Sequence, residues 1–288
     1  MSTDGSREIA MQYPKVILID NNNHDFNEAE RQSMLINKAR EIEGDRILFG
    51  LDADEVFSAN FKETEDWKKI LNSQPGDVFW FKWAEVTPNQ KEYWESHYFP
   101  WMFHDDGKEP HGNYVRNMHS MRIPYPIEEK QIFYVNDFHV LHLAYLNPFK
   151  VSGKRRFYKF VDWEMNKRSV VTLSRSYAQA HEARERNNLP ESYIYTQSKN
   201  SFNLFEEVDS TTVKFWHDDY IIERLKSYPT KELRKLDLWD KEFLNDNDLK
   251  DERRYIDKII HWYLFKTRYI KDKFTIRAID KILKLMKY

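Results

Sequence analysis

The 288 residues carry 45 Lys and Arg against 47 Asp and Glu, a formal net charge of -2, so no whole-chain field marks the protein as a nucleic-acid binder. A hydrophobic content of 41% with 16% aromatic residues supports a large core and argues against a disordered chain. The lack of Cys excludes disulfides, thiolate metal sites and a Cys nucleophile. No apolar run approaches the roughly 18 residues that span a bilayer, and Met1 is followed by polar residues rather than a signal peptide, so the expected address is the cytoplasm.

In chain order, residues 16–20 read as a strand. Residues 27–42 read as a helix with Leu35, Ala39 and Ile42 on its inward face, and 46–51 as the next strand. That order predicts a parallel α/β unit. A further helix is expected over 63–71 and a long aromatic strand over 77–86. Residues 99–145 read as extended and turn-rich, ending in an alternation that places Phe138, Val140, His142 and Ala144 on one face. Beyond Pro148 the chain turns helical and charged, with helices expected near 154–167, 176–187, 213–227, 252–269 and 276–288. The boundary between the two regions, 1–150 and 151–288, falls there.

The segment Ile47-Leu-Phe-Gly-Leu-Asp-Ala-Asp-Glu-Val56 ends a strand in three carboxylates. In an open α/β sheet, ligands sit beyond the carboxyl ends of the strands, which is where Asp52 and Asp54 fall. Hard divalent cations take oxygen ligands, often one or two carboxylates together with substrate phosphates, and an Asp-x-Asp pair suits that task. An ordinary acidic turn has the same composition. Arg31 precedes Leu35 by four residues on the expected inward stripe, which aims a cation at the same sheet edge. There it either meets a phosphate through its bidentate fork or pairs with Glu28 or Asp52.

Ser2-Thr-Asp-Gly-Ser6, the following Glu8-Ile-Ala, Pro14-Lys-Val, Ala29-Glu-Arg31-Gln with Leu35-Ile-Asn37, and Ile47 to Val56 together resemble the nucleotide-sugar-binding half of family 2 glycosyltransferases. The likeness covers roughly residues 1 to 60, and more loosely the acceptor half over 99–158. It implies a GT-A-like, Rossmann-type α/β sheet with helices on both faces. The first strands and the nucleotide-side Asp upstream of Ser2 are expected to be missing, and a mostly α-helical region follows.

The implied activity is inverting transfer of a sugar from a nucleotide-sugar donor to a saccharide or lipid-linked acceptor in bacterial cell-surface polysaccharide synthesis. The alternative is a catalytically impaired remnant or accessory subunit. A sugar nucleotidyltransferase would need a Gly-rich phosphate loop, and none is present among only 7 Gly. The resemblance further implies that Asp54 and Asp52 bind Mg²⁺ or Mn²⁺ and the sugar-nucleotide diphosphate, and that Arg31 contacts the nucleotide. Glu55 reads either as a residue supporting the metal-binding acids from behind or as a helix-start carboxylate.

His142 sits on an otherwise apolar face, as a core histidine or, by the resemblance, as a further metal ligand. The catalytic base is sought at Asp106 or Asp105, although Asp105-Asp106-Gly107 is also an ordinary turn. His119 stands in Met118-His119-Ser120 where relatives show His-Glu, and is expected only to assist. Trp80, Trp83, Tyr93, Trp94 and Trp101 are either core or a stacking surface for an acceptor sugar. Lys154-Arg155-Arg156 reads as a solvated helix face or a contact for a phosphorylated acceptor. At the C-terminus, Lys266 to Lys287 holds eight Lys or Arg and two Asp. Ile276, Ile279, Leu283 and Met286 share one helical face, which docks on the domain or lies peripherally on the inner face of the plasma membrane.

Overall fold

The computed structural model describes residues 5–22, 27–108, 121–124, 131–178, 185–196, 204–205, 212 and 214–288. They form a mixed α/β protein in two units: Met1–Trp83 with Ser96–Leu141, and Ala84–Glu95 with His142–Tyr288. The second unit thus takes residues 84–95, the tip of one hairpin, together with the chain from His142 onward.

The first unit contains α1 (Ser6–Ala10), α2 (Glu28–Arg40), β1 (Ile47–Phe49), β2 (Glu55–Phe57), α3 (Glu65–Leu71), β5 (Ile132–Tyr134) and most of β6 (Val140–His142). It also holds the inner parts of the long hairpin β3 (Val78–Val86) and β4 (Glu92–His104). The sheet is mixed. Its strands run β1-β4-β3-β6-β2, with β1 antiparallel to β4 in the register Ile47↔His104 and Phe49↔Met102, and β5 parallel to β3. Although β1 and β2 end opposite sides of this path, the rings of Phe49 and Phe57 stack at 4.6 Å, so the sheet curls back on itself.

Alternation along the strands divides the core between two faces. Ile47 and Phe49 join Phe79, Phe81, Phe138 and Val140 on one side, where Ile70 and Trp67 of α3 cover them. Leu48 joins Val78, Phe103 and Ile123 on the other, beneath Ile36 of α2.

Local chemistry explains the helix starts. The Asn27 side chain accepts from the Glu30 amide and caps α2, with Glu28 and Glu30 in the first turn and Lys38 and Arg40 in the last. Its buried face is Gln32 and Ile36, one position out of phase with the expected stripe, and Leu35 and Ile42 are exposed. Residues 16–20 form no strand, and Val16, Ile17 and Leu18 are exposed. The parallel strand-helix-strand unit expected there is not built, and β3 pairs in parallel with β5.

In the second unit the start of β4 pairs antiparallel with β7 (Arg186–Asn188). The helices are α4 (Pro148–Asn166), α5 (Val170–Ser176), α6 (Trp216–Ser227), α7 (Thr230–Leu233), α8 (Lys241–Asp246), α9 (Tyr255–Lys266) and α10 (Phe274–Leu285). Asn147 caps α4 by accepting from the Lys150 amide at 3.0 Å, and Pro148 occupies the first turn, where its missing N–H costs nothing. Gly153 lets α4 and α6 approach, since a β-carbon there would lie 3.1 Å from an Asp218 carboxylate oxygen. One turn on, Arg156 bridges Asp218 at 2.6 Å and Asp240 at 2.7 Å. Of the helix expected over 176–187, residues 179–184 lie outside the described residues; α5 ends at Ser176, and Arg186–Asn188 is strand because its backbone pairs with β4.

Candidate functional site

The acidic segment forms a tight turn between β1 and β2. The Glu55 amide donates to the Asp52 carbonyl at 3.0 Å, and the Asp52 amide donates to the Glu55 carboxylate at 2.9 Å. Glu55 is therefore the first residue of β2, buried, and not a helix-start carboxylate. Asp54 is half-buried in the same turn.

Two guanidiniums converge on Asp52. Arg31 Nη2 reaches one oxygen at 3.2 Å and Arg122 Nη2 the other at 2.5 Å. Arg31 is oriented by Glu28, whose carboxylate accepts from its Nε at 2.8 Å and Nη2 at 2.6 Å and also from the Gln32 amide nitrogen at 2.8 Å. Burial alone would raise the Glu28 pKa, but the hydrogen bonds from Arg31 and Gln32 and the charges of Arg31 and Arg122 outweigh it, leaving the carboxyl below its ordinary value. Arg31 does both things foreseen for its structural role, pairing with Glu28 and with Asp52. Its side chain also remains 37% exposed, within reach of a ligand.

Arg122 is different: only 11% of its side chain is exposed. It donates to Glu55 at 2.6 and 3.1 Å and to the Gly50 carbonyl at 2.9 Å, and lies 5.3 Å from the Trp101 ring centre. A β-carbon on Gly50 would stand 2.8 Å from the Arg122 β-carbon, so this approach requires glycine. Arg122 and its dependence on Gly50 were missed in the sequence. Gly50 between an apolar strand and the acids was the only local trace of the contact.

An aromatic group adjoins the acids. Trp83 donates its indole N–H to Glu55 at 3.0 Å and packs 4.7 Å from Trp101 and 5.2 Å from Phe99, while Phe99 and Trp101 stack at 5.3 Å. Trp101 is buried and Phe99 is exposed, so the group is core at one end and open at the other. Tyr93 and Trp94 are buried in the second unit, and Trp80 packs on the α2 side of the sheet.

Asp105 and Asp106 do not join this cluster. The antiparallel register places His104 opposite Ile47, and the Asp105 amide donates to the Arg46 carbonyl at 2.8 Å, so these acids lie at the far end of β1. Six residues of extended chain separate Arg46 from Asp52, roughly 20 Å. Asp105 accepts from Arg40 at 2.7 Å and from Arg46 at 3.3 Å with 1% of its side chain exposed. Burial would raise its pKa, but Arg40, the Gly107 amide and Arg46 together hold it below the ordinary value, which disfavours a base. Asp106 accepts from the Lys108 amide at 3.0 Å and Gly107 has φ 68°, the geometry of an acidic turn.

His142 belongs to the second unit, where its ring meets Tyr145 edge-on at 6.0 Å. His119 lies outside the described residues. Of Lys154-Arg155-Arg156, Arg156 is buried in its ion pairs and, with Arg155, lines a cavity of about 150 Å³. Among the described residues, no group of three or more His, Asp or Glu side chains is arranged to hold a metal ion. Comparison of the chain with protein-family models, with curated proteins and with solved structures finds no match in any of the three.

Proposed function

We propose that the chain is an inverting glycosyltransferase that takes a nucleotide-sugar donor at the β1–β2 turn and passes the sugar to a saccharide or lipid-linked acceptor. The observation that carries this reading is the half-exposed Asp52 carboxylate at the end of β1, bracketed by Arg31 and Arg122. The order of motifs resembling family 2 enzymes supports it, as does the aromatic group of Trp83, Phe99 and Trp101 beside the acids.

A carboxylate offers about four lone-pair positions, and the guanidiniums engage one oxygen each, so Asp52 retains capacity to accept from ribose hydroxyls. Arg31 reaches solvent and suits the diphosphate, while the largely covered Arg122 positions Asp52 and Glu55. Asp52, with a guanidinium on each oxygen, does not fit as a direct metal ligand. Asp54 fits the pattern in which Mg²⁺ or Mn²⁺ is held by one or two carboxylates and the rest of its shell comes from phosphates and water. Such an ion supplies neutralisation of the departing diphosphate.

In the reaction, an acceptor hydroxyl attacks the anomeric carbon in line. The bond to the diphosphate oxygen breaks with inversion, and the acceptor proton passes to a base. Asp105 and Asp106, at the opposite end of β1, are not assigned that part. The test is release of nucleoside diphosphate from a panel of nucleotide sugars in the presence of candidate saccharides. Metal-dependent release that disappears in Asp54→Ala is expected, and release unaffected by Asp54→Ala would overturn the assignment.

A further inference from the structure

The last two helices leave an unusual surface. α9 and α10 run antiparallel, tied where the Tyr263 hydroxyl lies 3.1 Å from an Asp280 oxygen and where the Tyr288 hydroxyl donates to Asp257. Each docks by a narrow seam, Ile260 and Leu264 on α9 and Ile276 and Leu283 on α10. The seam of α10 is narrower than the expected stripe, because Ile279 and Met286 are exposed.

Away from the seams both helices carry large apolar side chains in water. Phe274 is 86% exposed, Leu285 77% and Trp262 62%, with Tyr255, Phe265 and Ile282 also exposed. At about 100° per residue, Phe274 and Leu285 lie on the side of α10 opposite Ile276 and Leu283, with Ile282 on one flank. Arg277, Lys281 and Lys284 occupy the flank between the buried seam and this outer apolar side. Of the two acids between Lys266 and Lys287, Asp280 is neutralised by Arg175 at 2.8 Å. Twelve residues per helix span about 18 Å, short of the roughly 30 Å hydrocarbon core, and no helix among the described residues is long and apolar enough to cross a membrane.

We propose that the outer faces of α9 and α10 lie on an anionic lipid bilayer, with Trp262, Phe274 and Leu285 entering the headgroup boundary and Arg277, Lys281 and Lys284 meeting lipid phosphates. Single exposed hydrophobes on a surface are ordinary, but a run of them flanked by a cationic excess, with the exposed Asp272 set between Lys271 and Lys273, is what an interfacial helix presents. This assignment is independent of the nucleotide site: vesicle binding needs no donor, and an Asp54→Ala protein binds vesicles as the unaltered chain does.

The experiment is co-sedimentation of the full chain with phosphatidylcholine vesicles, with and without phosphatidylglycerol. Binding is expected to the anionic vesicles, weakened by salt, and reduced about tenfold or more in a folded Phe274→Asp/Leu285→Asp variant. Lys281→Glu with Lys284→Glu should remove the preference for phosphatidylglycerol. Brominated phosphatidylglycerol should quench tryptophan fluorescence, and less so in Trp262→Phe, a conservative change that keeps vesicle binding measurable if the aspartate pair fails to fold. Equal uptake by both vesicle types, full binding by the folded aspartate variant, or a dimer in light scattering that Phe274→Asp dissolves would each overturn the proposal, the last by showing a second copy on this face.

Discussion

The two ends of β1 carry the same chemistry in different settings. At one end Asp105 is clamped by Arg40 and Arg46 with 1% of its side chain exposed; at the other Asp52 is bracketed by Arg31 and Arg122 with 39% exposed. A buried acid with every oxygen engaged is part of the fold, since its charge is balanced and nothing can reach it. A half-open acid between guanidiniums retains lone pairs for a ligand, and its neighbours hold it ready. Exposure, more than residue type, separates the structural clamp from the proposed site.

Removing each acid sharpens that contrast. Asp105→Ala strands two partly buried guanidiniums and should cost about 3 kcal/mol of unfolding free energy in a denaturant titration, leaving ligand affinity intact in the folded fraction. The same clamp predicts an acid limb. Because the folded pKa of Asp105 is depressed, its contribution is present above the unfolded value of about 3.9 and is lost as pH falls below it. Thermal melts of Asp105→Asn should accordingly depend less on pH through that range than those of the unaltered chain.

Gly50→Ala forces Arg122 to move and should cost about 2 kcal/mol while weakening nucleotide binding, measurable by denaturation and titration of the same sample. The smallest stability effect is expected for Asp52→Asn, within about 1 kcal/mol because Asp52 itself is 39% exposed and Arg122 keeps its pair with Glu55, although ligand affinity should fall. Equal destabilisation by Asp52→Asn and Asp105→Ala would dissolve the distinction between the two ends.

The meeting of Arg31 with Asp52 was legible because a helix start and a strand end share an edge, and the Asp-Asp-Gly turn was legible from its residue types. The phase of α2 was not: Gln32 takes a buried position through its bond to Glu28, so the buried stripe contains a polar residue that apolar periodicity skips. Arg122 was beyond reach, standing 70 residues from Asp52 in a segment without pattern of its own. Strand direction was misjudged as well, because an apolar run at 16–20 satisfies the period of a strand without a ladder partner to make it one. Long-range pairing decided the strand direction and the place of Arg122, of which Gly50 was the one local trace, while the phase of α2 turned on a polar bond within the helix.

The most direct test is calorimetric titration of nucleoside diphosphates, with and without Mn²⁺, into the unaltered chain and into Asp52→Asn, Asp54→Asn and Asp105→Asn. Saturable binding that Mn²⁺ strengthens, that the Asp52 and Asp54 variants lose and that Asp105→Asn keeps is the predicted result. No binding by the unaltered protein, or binding that survives loss of both turn carboxylates, would contradict the account and leave the cluster as a bracket that joins β1 to β2.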